Sequence, residues 1–192
     1  MTRFWWVRHG PTHARTMVGW SDLPADLSDG AAIGRLRDYL PAAAAVISSD
    51  LSRAVATADA VQQGPDRLPH EPDLREIHFG AWELRSHAEI AAEDEALARD
   101  FWERPGDICP PGGEGWNQLA ARVSRGVDRL IGAYPDGDLV VVAHFGAILA
   151  ALQRAQGVTA VEVFSQRIDP LSVTELAYEQ GRWTVGRINH RP

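Results

Sequence analysis

A chain of 192 residues carries a formal net charge of −7 and a single cysteine, Cys109. The length suits one domain, residues 1–192, with a sizeable core. The acidic balance argues against a nucleic-acid partner, and a lone thiol allows no intramolecular disulfide and fits a reducing cytoplasm.

The N-terminal residues lack the apolar core and small-residue cleavage site of a signal peptide. No run reaches the roughly 18 apolar residues of a membrane span. Phe4–Val7 reads as a first strand, apolar on both faces, and ends in Arg8-His9-Gly10. Ser28 is the expected N-cap of a helix running to about Leu40, where Pro41 follows. Ala45-Val46-Ile47 is a second strand leading into Ser48-Ser49-Asp50, and residues 52–61 form a helix that stops before Gly64-Pro65. Residues 72–77 are expected to hold a short strand, and residues 87–103 a charged helix in one or two pieces. A loop rich in Pro and Gly precedes a long amphipathic helix over residues 116–134, with Leu119, Val123, Val127, Leu130 and Ile131 on one stripe. Residues 138–143 form the clearest buried strand, and a helix over 147–156 follows it. Two late strands, 171–177 and 183–188, meet at a Gln180-Gly181 turn. Strands alternating with helices predict an α/β fold with a mostly parallel sheet.

The chemistry collects at strand ends. The first strand delivers Arg8 and His9, the second leads toward Arg53, and the third ends in His144-Phe145-Gly146. In open α/β sheets ligands bind outside the carboxyl ends of the strands. Two arginines there neutralise phosphoryl oxygens. His9 is the candidate nucleophile. His144 is the candidate donor to the transferring oxygens, charged or neutral. Glu76, in Leu74-Arg75-Glu76, is the candidate acid that protonates the leaving oxygen and then activates water. Its rivals are Asp73, Glu83 and Glu114.

Four motifs appear in one order: Val7-Arg8-His9-Gly10-Pro11-Thr12; Ser48 through Ala58; Leu74 through Glu83; and Val142-Ala143-His144-Phe145-Gly146. Gly19-Trp20-Ser21-Asp22 and Pro111-Gly112-Gly113-Glu114 add weaker matches. Over nearly its whole length the chain resembles the histidine phosphatase superfamily, in its phosphoglycerate mutase-like branch. The resemblance implies a three-layer α/β/α sandwich and a phosphomonoesterase of small phosphorylated metabolites that needs no metal and no cofactor. It implies His9 as the phosphorylated residue, Arg8, Arg53 and His144 as the phosphate pocket, Glu76 as the proton donor, and a phosphate contact from the Phe145 N–H. The family often has an Asn where this chain reads His13-Ala14-Arg15-Thr16. Thr16 is the residue carried forward as its replacement, with Arg15 as the other choice. Pro11, Gly115 and Phe145 also depart from the common pattern.

The substrate stays open among sugar phosphates, phosphoglycerate-type acids, ribazole phosphate and nucleotides. Tryptophans beside the motif loops suggest anchors and a partly apolar lid. Three alternatives stand beside hydrolysis. One is a phosphoglycerate mutase, for which the chain is short. Another is a non-catalytic binder of phosphorylated ligands. The last is a metal-dependent hydrolase built from His9, His13, Asp22 and His144.

Overall fold

The computed structural model describes residues 1–192. Its sheet has five strands in the order β2-β3-β1-β4-β5. β1 (Thr2–Arg8), β2 (Ala45–Ser48) and β3 (Gly137–Ala143) run parallel, whereas β4 (Val173–Glu179) is antiparallel to β1 and β5 (Arg182–Val185) antiparallel to β4. The sheet is therefore mixed, with its parallel half carrying the first three strands. The antiparallel pairing of β5 with β4 follows from the Gln180-Gly181 turn, whose φ angles of 48° and 84° are both positive. Such a two-residue turn matches the twist of a tight hairpin.

Seven helices flank the sheet: α1 (Gly30–Tyr39), α2 (Ser52–Val61), α3 (His87–Glu93), α4 (Glu95–Glu103), α5 (Trp116–Ala133), α6 (Phe145–Gln156) and α7 (Ala160–Val163). Alternation along the strands divides the core between the two faces. Phe4, Trp6, Ile47, Leu139 and Val141 pack with α5 and α6. Val7, Val46, Val140 and Val142 pack with residues of α1 and α2. The architecture is thus the expected α/β/α sandwich. No helix is long and apolar enough to cross a membrane.

Local differences from the sequence reading have local causes. Asp29, not Ser28, caps α1, because its carboxylate accepts the Ala32 N–H at 2.9 Å. Residues 72–74 form a 3-10 turn rather than a strand. There Glu71 accepts the Asp73 N–H, and Pro72 has no N–H to give a ladder. Asp94 splits the charged helix by leaving helical φ/ψ and capping α4. The third strand is followed at once by α6, which starts two residues before the expected Ala147. The short α7 was not expected, although Thr159 and Glu162 form the reciprocal capping box that marks its start. Among the tryptophans, Trp82 and Trp116 are buried anchors, but Trp102 is 39% exposed.

Candidate active site

Strand register brings the two histidines together. β1 and β3 end level, with Arg8 paired to Ala143. The next residue on each strand is therefore a neighbour of the other, and the His9 and His144 rings lie 5.0 Å apart. The His9 N–H donates to the Ala143 carbonyl at 3.1 Å, which fixes the chain just past the strand. On the other side, Ser48 of β2 pairs with Val142. Ser49 then lies beside His144, with Oγ 2.6 Å from Nε2.

The hydrogen bonds of His9 set its tautomer. Nδ1 lies 2.7 Å from the Gly10 carbonyl, which can only accept, so Nδ1 carries the proton. Nε2 is left with its lone pair and accepts from Arg53 Nε at 3.3 Å. Burial and the neighbouring Arg53 charge lower the His9 pKa to about 3, so the ring is neutral at physiological pH. Thr57 ties this arrangement to α2. It accepts the Gly10 N–H at 3.0 Å and donates to the Arg53 carbonyl at 2.7 Å.

Arg53 is 1% exposed. Its Nη1 and Nη2 donate to the Ser21 and Gly19 carbonyls at 2.9 and 2.6 Å. Glu83 holds that loop in place, accepting N–H groups from Gly19, Trp20 and Ser21 and the Ser21 hydroxyl. Arg8 donates from Nη1 to the Ile168 carbonyl at 2.6 Å, while its buried Nε has no partner. Its guanidinium lies 5.4 Å from the centre of the Phe145 ring.

Glu76 is separated from its acidic rivals by their partners. Glu83 serves the Gly19–Ser21 loop, Glu114 pairs with Arg122 at 2.8 Å, and Asp73 pairs with Arg129 at 2.5 Å. Glu76 has no such cation bonded to it. It is 8% exposed and accepts the Ile77 and Gly146 N–H groups at 2.9 and 3.0 Å. Burial raises its pKa, against the opposing pull of those N–H groups and of Arg53 and Arg8. Its main chain is pinned as well, because Trp20 Nε1 and Arg122 Nη2 donate to the Glu76 carbonyl at 2.8 and 3.1 Å. A Cβ at 146 would come too close to Glu76 Oε1, so glycine there leaves the Glu76 carboxyl in place.

Arg8, His9, Thr16, Arg53, Glu76 and Phe145 line one cavity of about 220 Å³. His144 does not line it. It lies fully buried beside His9, its pKa held well below the usual value by burial, with Nδ1 unpartnered. Phe145 opens α6, so its N–H is one of the first-turn donors without an intrahelical partner. The amino ends of α2 and α6 thus face the same edge of the sheet, an electrostatic setting that favours an anion.

Other residues considered from the sequence lie elsewhere. Arg15 is exposed and does not line the cavity, which leaves Thr16 from that segment. His13 pairs with Asp26 at 2.8 Å, and both line a larger cavity of about 400 Å³ that contains none of the site residues. Asp22 accepts the Ser52 N–H at 2.8 Å at the start of α2. The metal set of His9, His13, Asp22 and His144 is therefore not assembled. Gly112-Gly113 forms a turn closed by the Gly113 N–H on the Pro110 carbonyl, packed against Gly80. Sequence reasoning missed Ser49 and Thr57, and weighed Glu83 only as a rival acid, not as the holder of the Gly19–Ser21 loop. All three lie inside the quoted motifs, but their partners come from other elements.

Comparison with known proteins extends these observations. The family model of the histidine phosphatase superfamily (branch 1) matches residues 4–191. The bifunctional protein Rv2228c of Mycobacterium tuberculosis is 33% identical over 98% of this chain, which spans only 54% of that relative's length. The adenosylcobalamin/alpha-ribazole phosphatase of Salmonella typhimurium is 31% identical, over 95% of this chain and 89% of its own. The structure of Bacillus stearothermophilus YhfR superimposes with a TM-score of 0.90 at 26% identity, covering 98% of this chain and 97% of that one. A match running almost end to end, on a fold that brings His9, Arg53 and Glu76 to one cavity, means that the chain belongs to the histidine phosphatase superfamily.

Proposed function

We propose that residues 1–192 act as one catalytic unit, a metal-independent phosphomonoesterase that hydrolyses a small phosphorylated metabolite through a phosphohistidine on His9. The observation that carries this reading is the His9 tautomer: a bare Nε2, 3.3 Å from a buried guanidinium, shares one cavity with a carboxyl group of raised pKa.

In the first step His9 Nε2 attacks phosphorus and the ester P–O bond breaks. The leaving oxygen takes the proton of Glu76, whose burial keeps it protonated further up the pH scale than an exposed glutamate. Arg8 and Arg53 neutralise the phosphoryl oxygens, and the Phe145 N–H and the Thr16 side chain contribute further contacts. His144 lies outside the cavity lining, so instead of the expected donation to the phosphoryl oxygens it supports the His9 ring from 5.0 Å away, itself held by Ser49. In the second step the Glu76 carboxylate takes a proton from water. The resulting hydroxide attacks phosphorus, the P–N bond breaks, and inorganic phosphate leaves. The Salmonella relative's name as a phosphatase supports hydrolysis over transfer back to substrate.

The test is direct. Brief incubation with a labelled phosphomonoester leaves acid-labile, base-stable label on the protein, and His9→Ala abolishes both label and turnover. Full turnover in that variant would remove the reading. Activity that is lost on chelation and restored by one metal would replace it with a metal-dependent mechanism.

A further inference from the structure

A second cavity, of about 230 Å³, adjoins the first and shares Glu76, Phe79 and Phe145 with it. Its other aromatic walls are Phe101 and Trp102 of α4, Trp116 of α5, and Phe164 just after α7. Resting on the phosphatase reading above, we propose that this chamber holds the organic part of the substrate, and that this part is an uncharged, largely apolar group carrying a ring.

The acid fixes the side on which that group lies. In-line attack places the leaving oxygen opposite His9 Nε2, and Glu76 must reach within hydrogen-bond distance of it. The carbon attached to that oxygen therefore lies on the Glu76 side of the cavity, where the aromatic chamber opens. The other rim is built from residues 12–18, remote in sequence from every chamber wall.

The walls then select the chemistry. No lysine or arginine lines the chamber, and its only ionisable group is Glu76. A carboxylate or second phosphate there would be desolvated without a counter-charge. The Trp116 indole N–H is already spent on Gln153 Oε1 at 2.7 Å. A polyhydroxylated sugar would leave its hydroxyls unpaired against rings. Space is sufficient, because an apolar cavity of about 150 Å³ already admits benzene. Aromatic walls favour a ring in stacked or edge contact.

Binding of non-hydrolysable probes tests this without turnover. Calorimetry on the native protein compares phenethylphosphonate with hydroxypropylphosphonate, which share the anionic head and differ in the tail. The expected result is about tenfold or greater preference for the phenethyl compound. Trp102→Ala and Phe164→Ala, at half-exposed positions where folding is least threatened, should each erase most of that ratio. Equal affinities, or a preference unchanged in both variants, would overturn the proposal. In kinetics, phenethyl phosphate should exceed glycerol phosphate in kcat/KM by a similar factor, with both leaving groups being ordinary alcohols. Normal labelling of His9 with no such preference sinks the chamber and spares the phosphatase reading. Preferential probe binding with no labelling does the reverse.

Discussion

The two halves of the sheet meet the site in different ways. The parallel half delivers carboxyl ends, so each strand is followed by a group at the cavity or directly behind it: His9 after β1, the buried Ser49 and then α2 after β2, the buried His144 and then α6 after β3. The antiparallel β4 presents its amino end to the same edge, and what precedes it offers main chain. The Ile168 carbonyl accepts from the Arg8 side chain, and the Ser172 carbonyl accepts the Arg8 N–H at 3.2 Å. Parallel strands thus bring reacting groups and positive helix ends together, whereas the antiparallel neighbour supports one arginine. Changes in the parallel half should alter chemistry, and changes in the antiparallel half should alter stability.

The largest effect should come from His9→Ala, with kcat reduced on the order of 10⁵-fold. Stopped assays with a soluble aryl phosphate measure it. Glu76→Gln comes next. For an alkyl phosphate kcat should fall about 10²–10³-fold, and for a nitrophenyl ester much less, since a good leaving group needs no proton. Equal losses would show that Glu76 is not the acid. The pH dependence has a definite sign. Burial raises the Glu76 pKa, so kcat/KM for alkyl esters should decline as pH rises through that value, and the Gln variant should lack this limb. The same shift enters stability. Any stability contribution from protonated Glu76 is complete below the unfolded carboxyl pKa and is lost as pH rises through the folded value. Thermal melts of Glu76→Gln should therefore gain on the native protein at alkaline pH, and a gain confined to acid would contradict the burial account.

Ser49→Ala should have a smaller consequence, about tenfold in kcat, because it removes the only side-chain partner of a buried imidazole. A structural role alone would lower the melting temperature without touching His144. Nitrogen chemical shifts of the His144 ring discriminate, since loss of the Ser49 bond frees the tautomer. Unaltered shifts in an inactive variant would end the positioning argument.

Much of this site was legible because apolar strands run straight into Arg8-His9 and His144, and the two-residue period of a strand is local information. Ser49 was not, although it stands in the second motif. Its role depends on β2 lying beside β3 in one register, a contact across 95 residues of chain. The choice of Glu76 over Asp73, Glu83 and Glu114 was open for the same reason. The partners that favour Glu76 in the proposed role, Arg122, Arg129 and the Gly19–Ser21 loop reaching the other three, come from elsewhere in the chain. In the fold, α2 was readable to the residue from composition and its Gly-Pro stop. Residues 72–74 were not, because Glu71 bends the chain through a side-chain bond that apolar patterning does not register.

The smallest kinetic effect is expected in the antiparallel half, at Trp183 of β5. Its ring packs 5.8 Å from Phe4 and 4.9 Å from Tyr178, with the Arg154 guanidinium 5.6 Å from its centre. Truncation to alanine removes half-buried aromatic surface from the rim of the larger core, at a cost of about 2 kcal/mol. Phe4 stands on β1 five residues before His9, but β1 is held on its other side by seven registered pairs with β3. Loosening the edge should therefore leave the His9–His144 spacing intact. Trp183→Ala should lower the denaturation midpoint while kcat and KM remain at native values below the melting transition. A parallel drop in kcat at temperatures where the variant is fully folded would mean that the edge strands set catalytic geometry, and that the division between the two halves of the sheet is wrong.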